Sequence, residues 1–517
     1  MQNHPLQNKR FGKYLRDEID KLSKEDLVKI LLDNQREDNF LIMTDSYKMS
    51  HFKLLPKGIT QMYSYMEARG GDMDYTVFYG LQYLLLKYMV GVRVTHEDIA
   101  EAKWYNFNHF GFDCFNSAMW IKILEKHGGK LPLRIKSVKE GTVVPVKNCL
   151  MTIVNTDDDC APLTQHAETL LMKLWSGNTV AAYSRYIKEL IQKYWALTSD
   201  TPESAIDFGL HCFGYRGTNS EESARFCGSA HLINFQGSDT MGALKLINRY
   251  YQPDFMAGYS VVASEHSVVC AFGRENEPLA YATWIKANPT GTLSLVSDTY
   301  NIYNVCRSIL PALKKQIIAR TNQNGSPAKV VIRPDSGDPI KVLFGDPDAE
   351  EIDVKLGVFG ILFEEFGYSI NSKGYKVLDP HIGVLQGDGV SLTSIQLMLD
   401  KMLELKIDTM NLIFGSGGKL LQAHDRDEQK FAIKATFAII NKKGLEIEKD
   451  PITDPGKKSK KGYLKLVKDG DSYKTIESSK TKKKEFDAFE DEMVTIFENG
   501  ELLYYHNFEE IRERAKK

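Results

Sequence analysis

The sequence predicts an α/β chain, and three observations carry that expectation. Between about residues 204 and 418, short β-prone apolar runs each end in a small polar or glycine-rich cluster. Tens of residues separate the runs, which leaves room for crossover helices and so favours parallel strands. The stretch 391–406, with Leu392, Ile395, Met398, Leu399, Met402 and Leu403 at helical intervals, reads as one such helix. Four strands follow from the pattern. Residues 293–296 run into Ser297 and Asp298, 330–332 into Arg333 to Gly337, 382–385 into Gln386 to Gly389, and 412–414 into Gly415 to Gly418. In parallel sheets and barrels sites form at the carboxyl ends of strands, where these clusters lie.

The flanking segments read differently. From 40 to about 200 the signals are mixed: helical near 80–90 (Leu81, Leu84, Leu85, Tyr88) and through 117–127, strand-like at 131–138 and 149–154. That is an α+β pattern. Residues 1–39 predict an appended arm of two short amphipathic helices, one with Phe11, Tyr14, Leu15, Ile19 and Leu22 on a face, the next with Leu27, Ile30 and Leu31 after a capping Ser23. Past 425 lysines cluster, with Lys457, Lys458, Lys460 and Lys461 around Ser459 and then Lys480, Lys482, Lys483 and Lys484, which reads as a solvated loop. The expected organisation is therefore an extension at 1–39, an α+β domain at 40–200 completed by 425–517, and an α/β barrel-like domain at 201–424.

Composition narrows the function classes. In 517 residues, 66 Lys+Arg nearly balance 68 Asp+Glu, which excludes a supercharged nucleic-acid binder, and no aromatic residues interleave the lysine run as stacking platforms. No apolar run approaches the ~18–20 residues of a membrane span, and the first residues lack a secretory apolar stretch. Seven cysteines without a Cys-x-x-Cys pair suit neither a disulfide framework nor a zinc site. The expectation is a soluble cytoplasmic protein without nucleic-acid or membrane partners.

Several clusters are able to carry chemistry. Gly415-Ser416-Gly417-Gly418-Lys419-Leu420 is not a Walker A loop, because Ile413 and Leu420 stand where Gly and Ser or Thr are required. It remains a glycine turn whose backbone N–H groups suit one phosphate. In Arg333-Pro334-Asp335-Ser336-Gly337 a guanidinium for phosphate and a carboxylate for hydroxyls or metal-bound water flank a rigid proline. Gly387-Asp388-Gly389 allows close backbone approach, with a carboxylate for a sugar diol. His211 to Gly217 sets Phe213 and Arg216 between glycines, suiting a flat ring beside a phosphate. Glu265-His266 has no metal-ligand spacing around it, and a lone histidine is usually structural.

With these clusters, the chain resembles the nicotinamide enzymes of the nicotinate/nicotinamide phosphoribosyltransferase family. The matching segments are Thr44-Asp45-Ser46-Tyr47-Lys48, Phe213 to Gly217, Gly237 to Thr240, Tyr259-Ser260-Val261, Glu265-His266-Ser267, Val296-Ser297-Asp298, Arg333 to Gly337, Gln386 to Gly389, Phe414 to Gly418, and Lys457 through Gly462. The resemblance implies a barrel-like phosphoribosyltransferase domain with a second α+β domain, and a homodimer with shared active sites. It implies transfer of phosphoribosyl from 5-phosphoribosyl-1-pyrophosphate to nicotinamide, giving nicotinamide mononucleotide and pyrophosphate; nicotinate or quinolinate transferases and a non-catalytic nucleotide-binding homologue are the alternatives. Asp239 disfavours the acids, since a carboxylate repels an anionic substrate but accepts from an amide.

By the same resemblance, Phe213 and Tyr47 of the opposite subunit sandwich the pyridine, and Asp239 accepts from the carboxamide, with Ser294 the next candidate for that role. Arg216, His266 and Arg333 bind pyrophosphate. Asp335, Gly387 and Asp388 hold the ribose side, and Gly417, Gly418 and the opposite subunit's Arg426 the 5′-phosphate. His266, Asp298, Arg333 and Asp335 are the implied catalytic residues; Asp45, Ser260, Pro334, Lys457 and Lys458 are implied substrate-binding residues. Mg²⁺ is implied mainly through pyrophosphate, its protein ligands left open, and ATP as a stimulating phosphoryl donor to His266. Departures from the family pattern are the long arm, Cys212 where Asp is common, and Lys419 where Gly is common.

Overall fold

A computed structural model describes residues 38–517, so nearly all of the predicted arm lies outside the described residues. The chain forms two compact units. The first takes in the described residues to Thr179, with Tyr250–Gln252 and Asp425–Lys517; the second is Val180–Arg249 and Pro253–His424.

The first unit is built on a seven-stranded antiparallel sheet in the order Lys443–Glu446, Ala432–Ile440, Ile59–Glu67, Cys149–Asn155, Leu133–Ser137, Val494–Glu498, Glu501–Leu502. The strand Ile59–Glu67 is buried along most of its length, from Met62 to Glu67. The expected helices occur as Leu81–Tyr88 and Ser117–His127, the latter capped by Asn116 accepting from the Met119 N–H and stopped by Gly128 at φ 59°.

The lysine-rich region is more ordered than a loop. Leu464–Asp469 and Ser472–Glu477 form a hairpin, and Lys483–Ala488 a helix. Leu464, Leu466 and Val467 are buried between a half-buried Lys465 and an exposed Lys468, so the lysines break up the apolar positions and no strict alternation shows. Lys457, Lys458 and Lys480 are exposed, but Lys460 turns in: its Nζ lies 3.1 Å from Glu67 Oε2 and donates to the Lys147 carbonyl at 2.6 Å.

The division between units falls near residue 180 rather than at the expected 200/201. The helix Leu174–Thr198 crosses it. Asn178 serves the first unit, accepting from the Tyr79 N–H at 2.6 Å. Later residues are bound into the second: Ser184 to His231 at 3.2 Å, Lys188 to Asp207 at 2.6 Å, and Thr198 to Thr409 at 2.8 Å. A continuous helical periodicity cannot reveal where its partners change.

The second unit holds seven parallel strands: β1 (Leu210–Cys212), β2 (Gly237–Ser238), β3 (Val262–Ala263), β4 (Leu293–Val296), β5 (Val330–Arg333), β6 (Ile382–Gln386) and β7 (Leu412–Ser416). Their order is β2-β1-β7-β6-β5-β4-β3. A parallel bridge between Gly237 and Tyr259, just ahead of β3, joins the two edges. Ser238 N–H donates to the Tyr259 carbonyl at 2.9 Å and Tyr259 N–H to that of Gln236 at 2.7 Å, so the sheet curls into a barrel-like ring. Leu293, Leu295, Val330, Ile332, Ile382, Val384, Leu412 and Phe414 are buried. The predicted crossover helix is Leu392–Glu404, with Ser391 and Ser394 forming a reciprocal cap.

A titratable core group in the first unit gives a stability prediction. His166 is buried, its ring 5.0 Å from that of Trp120, and its Nε2 lies 3.1 Å from the Phe40 carbonyl. Burial pushes its imidazole down to about 4 from 6.5, with the Phe40 carbonyl opposing and Lys48 assisting. The unfolded chain binds the proton first, so the contribution is whole above pH 6.5 and is lost as pH falls from there through about 4. The full loss is on the order of 3 kcal/mol. His166→Gln, which retains a donor for Phe40, should flatten that part of a stability-against-pH curve from denaturant titrations; an unaltered slope would exclude His166 as its source.

Candidate functional site

Parallel pairing delivers the carboxyl ends of β1 to β7 to one rim, and the predicted clusters follow one strand after another. The β1 and β7 loops interlock through glycines. Phe213 N–H donates to the Ser416 carbonyl at 3.1 Å. A Cβ on Gly415 would stand 2.2 Å from Phe213 Cε1, and one on Gly217 2.9 Å from Gly418 Cα. Phe213 thus rests on bare backbone. Arg216 is extended and 86% exposed, its Nη1 3.8 Å from Glu265 Oε2.

After β2, Asp239 is anchored by its N–H to the Cys212 carbonyl at 2.8 Å. His211 Nε2 lies 3.1 Å from its Oδ1, and the Ser260 hydroxyl donates to the same oxygen. Burial works to raise the carboxyl, but the His211 hydrogen bond and charge, the Ser260 hydroxyl and the Arg333 charge outweigh it and hold it below the usual carboxylate range.

After β3, His266 opens the short helix His266–Cys270. Its Nδ1 is 2.9 Å from the Thr299 hydroxyl, while Nε2 sits 3.7 Å from Asp298 Oδ1 and 3.5 Å from Asp335 Oδ2. Asp298 Oδ2 accepts from the Asp335 N–H at 3.0 Å and from the Ser336 hydroxyl. Its Oδ1 is buried and hydrogen-bonded to nothing in the protein. At the end of β5, Arg333 donates through Nη2 to the Ser264 carbonyl at 3.0 Å, but its buried Nε has no partner. Gly387 N–H donates to the Pro334 carbonyl at 3.2 Å, and a Cβ on Gly387 would meet Asp335 Oδ1 at 2.6 Å. Gln386 Nε2 donates to the Asp388 carbonyl at 2.9 Å, leaving Gln386 Oε1 buried and unpartnered. Three buried polar atoms that make no hydrogen bond to the protein at one rim mark a site shaped for polar ligand atoms, because each otherwise costs about 1–3 kcal/mol.

The structure therefore brings together Phe213, Arg216, Asp239, His266, Asp298, Arg333, Pro334, Asp335, Gly387, Asp388, Gly417 and Gly418 as residues at the carboxyl ends of strands, and Ser260, which precedes β3, joins them through its hydroxyl on Asp239. Ser294 differs, lying buried inside β4. Asp45, Tyr47, Arg426, Lys457 and Lys458 belong to the first unit. Tyr47 is 58% exposed in the helix Ser46–Met49, its phenol pushed up by desolvation, Asp45 and Glu168. Asp45 accepts from the Thr169 hydroxyl at 3.2 Å. Arg426 lies 3.3 Å from Asp427, Lys457 3.0 Å from Asp454, and Lys458 2.6 Å from Asp450.

Other residues escaped the sequence reading. His211 and Thr299, which touch Asp239 and His266, sit in ordinary strand and loop positions; the one available signal was the glycine at 237, in register with His211. In the first unit Lys434 is pushed down by burial, against Glu168 and together with Arg69, Lys449 and Lys48, in a cationic cluster where Lys48 pairs with Glu168 and Arg69 with Glu67. Arg69 Nη2 there is buried without a hydrogen-bond partner. Among the described residues no three His, Cys, Asp or Glu side chains are grouped to hold a metal ion, and no helix is long and apolar enough to cross a membrane.

Residues 39–135 match the N-terminal domain of nicotinamide phosphoribosyltransferase. The chain is 41% identical over 483 residues to a nicotinamide phosphoribosyltransferase of Xanthomonas campestris pv. campestris, covering 92% of this chain and 98% of that one. It is 33% identical over 493 residues to another from Acinetobacter baylyi, covering 92% and 97%. The crystal structure of nicotinate-nucleotide pyrophosphorylase from Pyrococcus furiosus shares the fold at 15% identity, with a TM-score of 0.57 over 94% of this chain and 96% of that one. Residues 208–501, which carry every strand of the barrel-like sheet, match the nicotinate phosphoribosyltransferase family, and the chain belongs to it.

Proposed function

We infer that this chain is a nicotinamide phosphoribosyltransferase, joining nicotinamide to 5-phosphoribosyl-1-pyrophosphate with release of pyrophosphate. Its relatives at 41% and 33% identity bear that name across nearly their whole length. The observation that carries the choice of pyridine is Asp239, a carboxylate kept ionised on the same rim as Phe213. It accepts an N–H from a carboxamide and repels the anion of nicotinic or quinolinic acid.

Departure of pyrophosphate builds positive charge on the ribosyl carbon and negative charge on the leaving group. Arg333, His266 and Arg216 neutralise the leaving group, and Arg333 Nε offers a donor the protein itself leaves unused. Asp335 and Asp388 hold the ribose hydroxyls, and Gly387 admits the sugar against backbone. Gly417 and Gly418 present N–H groups to the 5′-phosphate, with Arg426, Lys457 and Lys458 of a second copy of the chain supplying further cations. Phe213 and Tyr47 clamp the ring while Asp239 turns its nitrogen toward the ribosyl carbon; Ser260 holds Asp239, and Asp45 steadies the turn that bears Tyr47. Ser294, in β4, is the second candidate partner for the carboxamide. We assign the second ring face to a second copy of this chain, making the protein a homodimer with shared sites.

Mg²⁺ fits this donor set. Asp298 Oδ1, which accepts no hydrogen bond, and Asp335 Oδ2 flank His266 Nε2 at 3.7 and 3.5 Å, so these two carboxylates would hold the ion alongside pyrophosphate oxygens. Bound there, it supplies neutralisation of the pyrophosphate charge. Thr299 occupies Nδ1 of His266, which leaves Nε2, facing the Asp298 and Asp335 carboxylates at 3.7 and 3.5 Å, as the acceptor of a phosphoryl group from ATP, with ADP as the leaving group.

Incubation with labelled nicotinamide and phosphoribosyl pyrophosphate should yield nicotinamide mononucleotide and equimolar pyrophosphate, faster with ATP, and nicotinate should serve far less well. Preference for nicotinate, or no product, would overturn the reading. Gly415→Ala should raise the KM for nicotinamide at least tenfold with little change in melting temperature, because the methyl group displaces the Phe213 ring. After subunit exchange, inactive Tyr47→Ala and Phe213→Ala chains should recover activity in mixed dimers, in which one of the two sites is intact. Absence of recovery would exclude shared sites.

A further inference from the structure

One histidine at the rim has no role in the chemistry above. His211 occupies β1, two residues before Phe213, and its side chain is 14% exposed. Its Nε2 lies 3.1 Å from Oδ1 of Asp239, and an ionised carboxylate has no proton to give, so Nε2 carries the hydrogen. The Ser260 hydroxyl donates to the same oxygen. Among the described residues, no protein group donates to Oδ2, and the Asp239 side chain is 44% exposed. The backbone makes room for this arrangement. His211 pairs in register with Gly237, and a Cβ at 237 would press to 2.8 Å from His211 Nδ1, so glycine lets the imidazole lie over β2 and reach the aspartate two residues on. The His211 ring is also tilted 33° against that of Phe213, with centroids 6.5 Å apart.

We propose that His211 is the positioning residue that makes the site choose an amide: its Nε2–H and the Ser260 hydroxyl engage Oδ1 of Asp239, leaving Oδ2 as the acceptor for a carboxamide N–H. The proposal deepens the reading of the rim as a nicotinamide site and rests on it. Two donors on one oxygen fix the rotation of the carboxylate about its Cβ–Cγ bond, so the free oxygen has one direction. They also favour the charged form, which alone accepts from the amide without donating to an acid. The titratable and charged groups facing Asp239 among the described residues are His211, Arg333 and the buried Cys212 thiol; burial raises the carboxyl, and with His211 removed the Ser260 hydroxyl and the Arg333 charge remain to oppose it.

The test compares kcat/KM for nicotinamide and nicotinate across pH in wild type, His211→Ala and His211→Gln, whose amide nitrogen can stand in for Nε2–H. His211→Ala should lower the nicotinamide-to-nicotinate ratio by about tenfold and move the acid limb of the nicotinamide profile to higher pH, while His211→Gln restores most of the ratio. A change below threefold in a folded His211→Ala enzyme, or a glutamine variant as unselective as the alanine one, would overturn the proposal. Gly237→Ala keeps the imidazole but pushes Nδ1 aside, so the ratio should fall in that variant too; an undiminished ratio there would overturn the proposal even if His211→Ala failed to fold. The wild-type ratio alone tests the activity: a preference for nicotinate in wild type would refute the substrate, whereas only the change between variants reports on His211.

Discussion

The site depends on one constraint: seven strands hydrogen-bonded in parallel around a closed order. Antiparallel pairing would divide the strand ends between two rims. Parallel pairing, completed through Gly237 and Tyr259, puts every carboxyl end on the same side. Groups distant in sequence, such as Asp239, His266, Asp335 and Gly417, become neighbours in one ring order because each follows its own strand by one to three residues. No pairwise contact between them is needed to bring them together. Within the ring, glycine supplies proximity: Gly415 beneath Phe213 and Gly387 beside Asp335 are places where the smallest side chain would collide.

The polar groups of the rim divide into those that hold one another and those held back for a ligand. Asp298 spends one oxygen on the Asp335 backbone and Ser336, and Arg333 spends Nη2 on the Ser264 carbonyl. Their other atoms stay buried without partners, a cost tolerated where a ligand later pairs them. The same division recurs at Asp239. An active site built this way is rigid before substrate arrives, so binding energy goes to orientation rather than to ordering side chains.

Much of this was legible in the residues. The strands at 293–296, 330–333, 382–386 and 412–416 announced themselves because parallel strands are buried on both faces and read as continuous apolar runs ending abruptly in polar turns. β2 and β3 did not. Gly237–Ser238 and Val262–Ala263 are two residues long, below the length at which any periodicity exists, and the second is exposed. Resemblance identified the residues after each strand, whereas His211 and Thr299 act through other side chains and leave no mark of their own. Ser294, the next candidate for the carboxamide, belongs to β4 itself rather than to a loop that follows a strand. The lysines past 455 concealed a hairpin because its inward positions are few and separated by charge.

The most direct measurement is a crystal structure of the protein with nicotinamide mononucleotide bound. The account predicts the pyridine against Phe213 with its carboxamide nitrogen donating to Asp239 Oδ2, the ribose hydroxyls on Asp335 and Asp388, and the 5′-phosphate on the N–H groups of Gly417 and Gly418. A nucleotide seated away from the strand ends, or one at the rim with its carboxamide turned from Asp239, would contradict it.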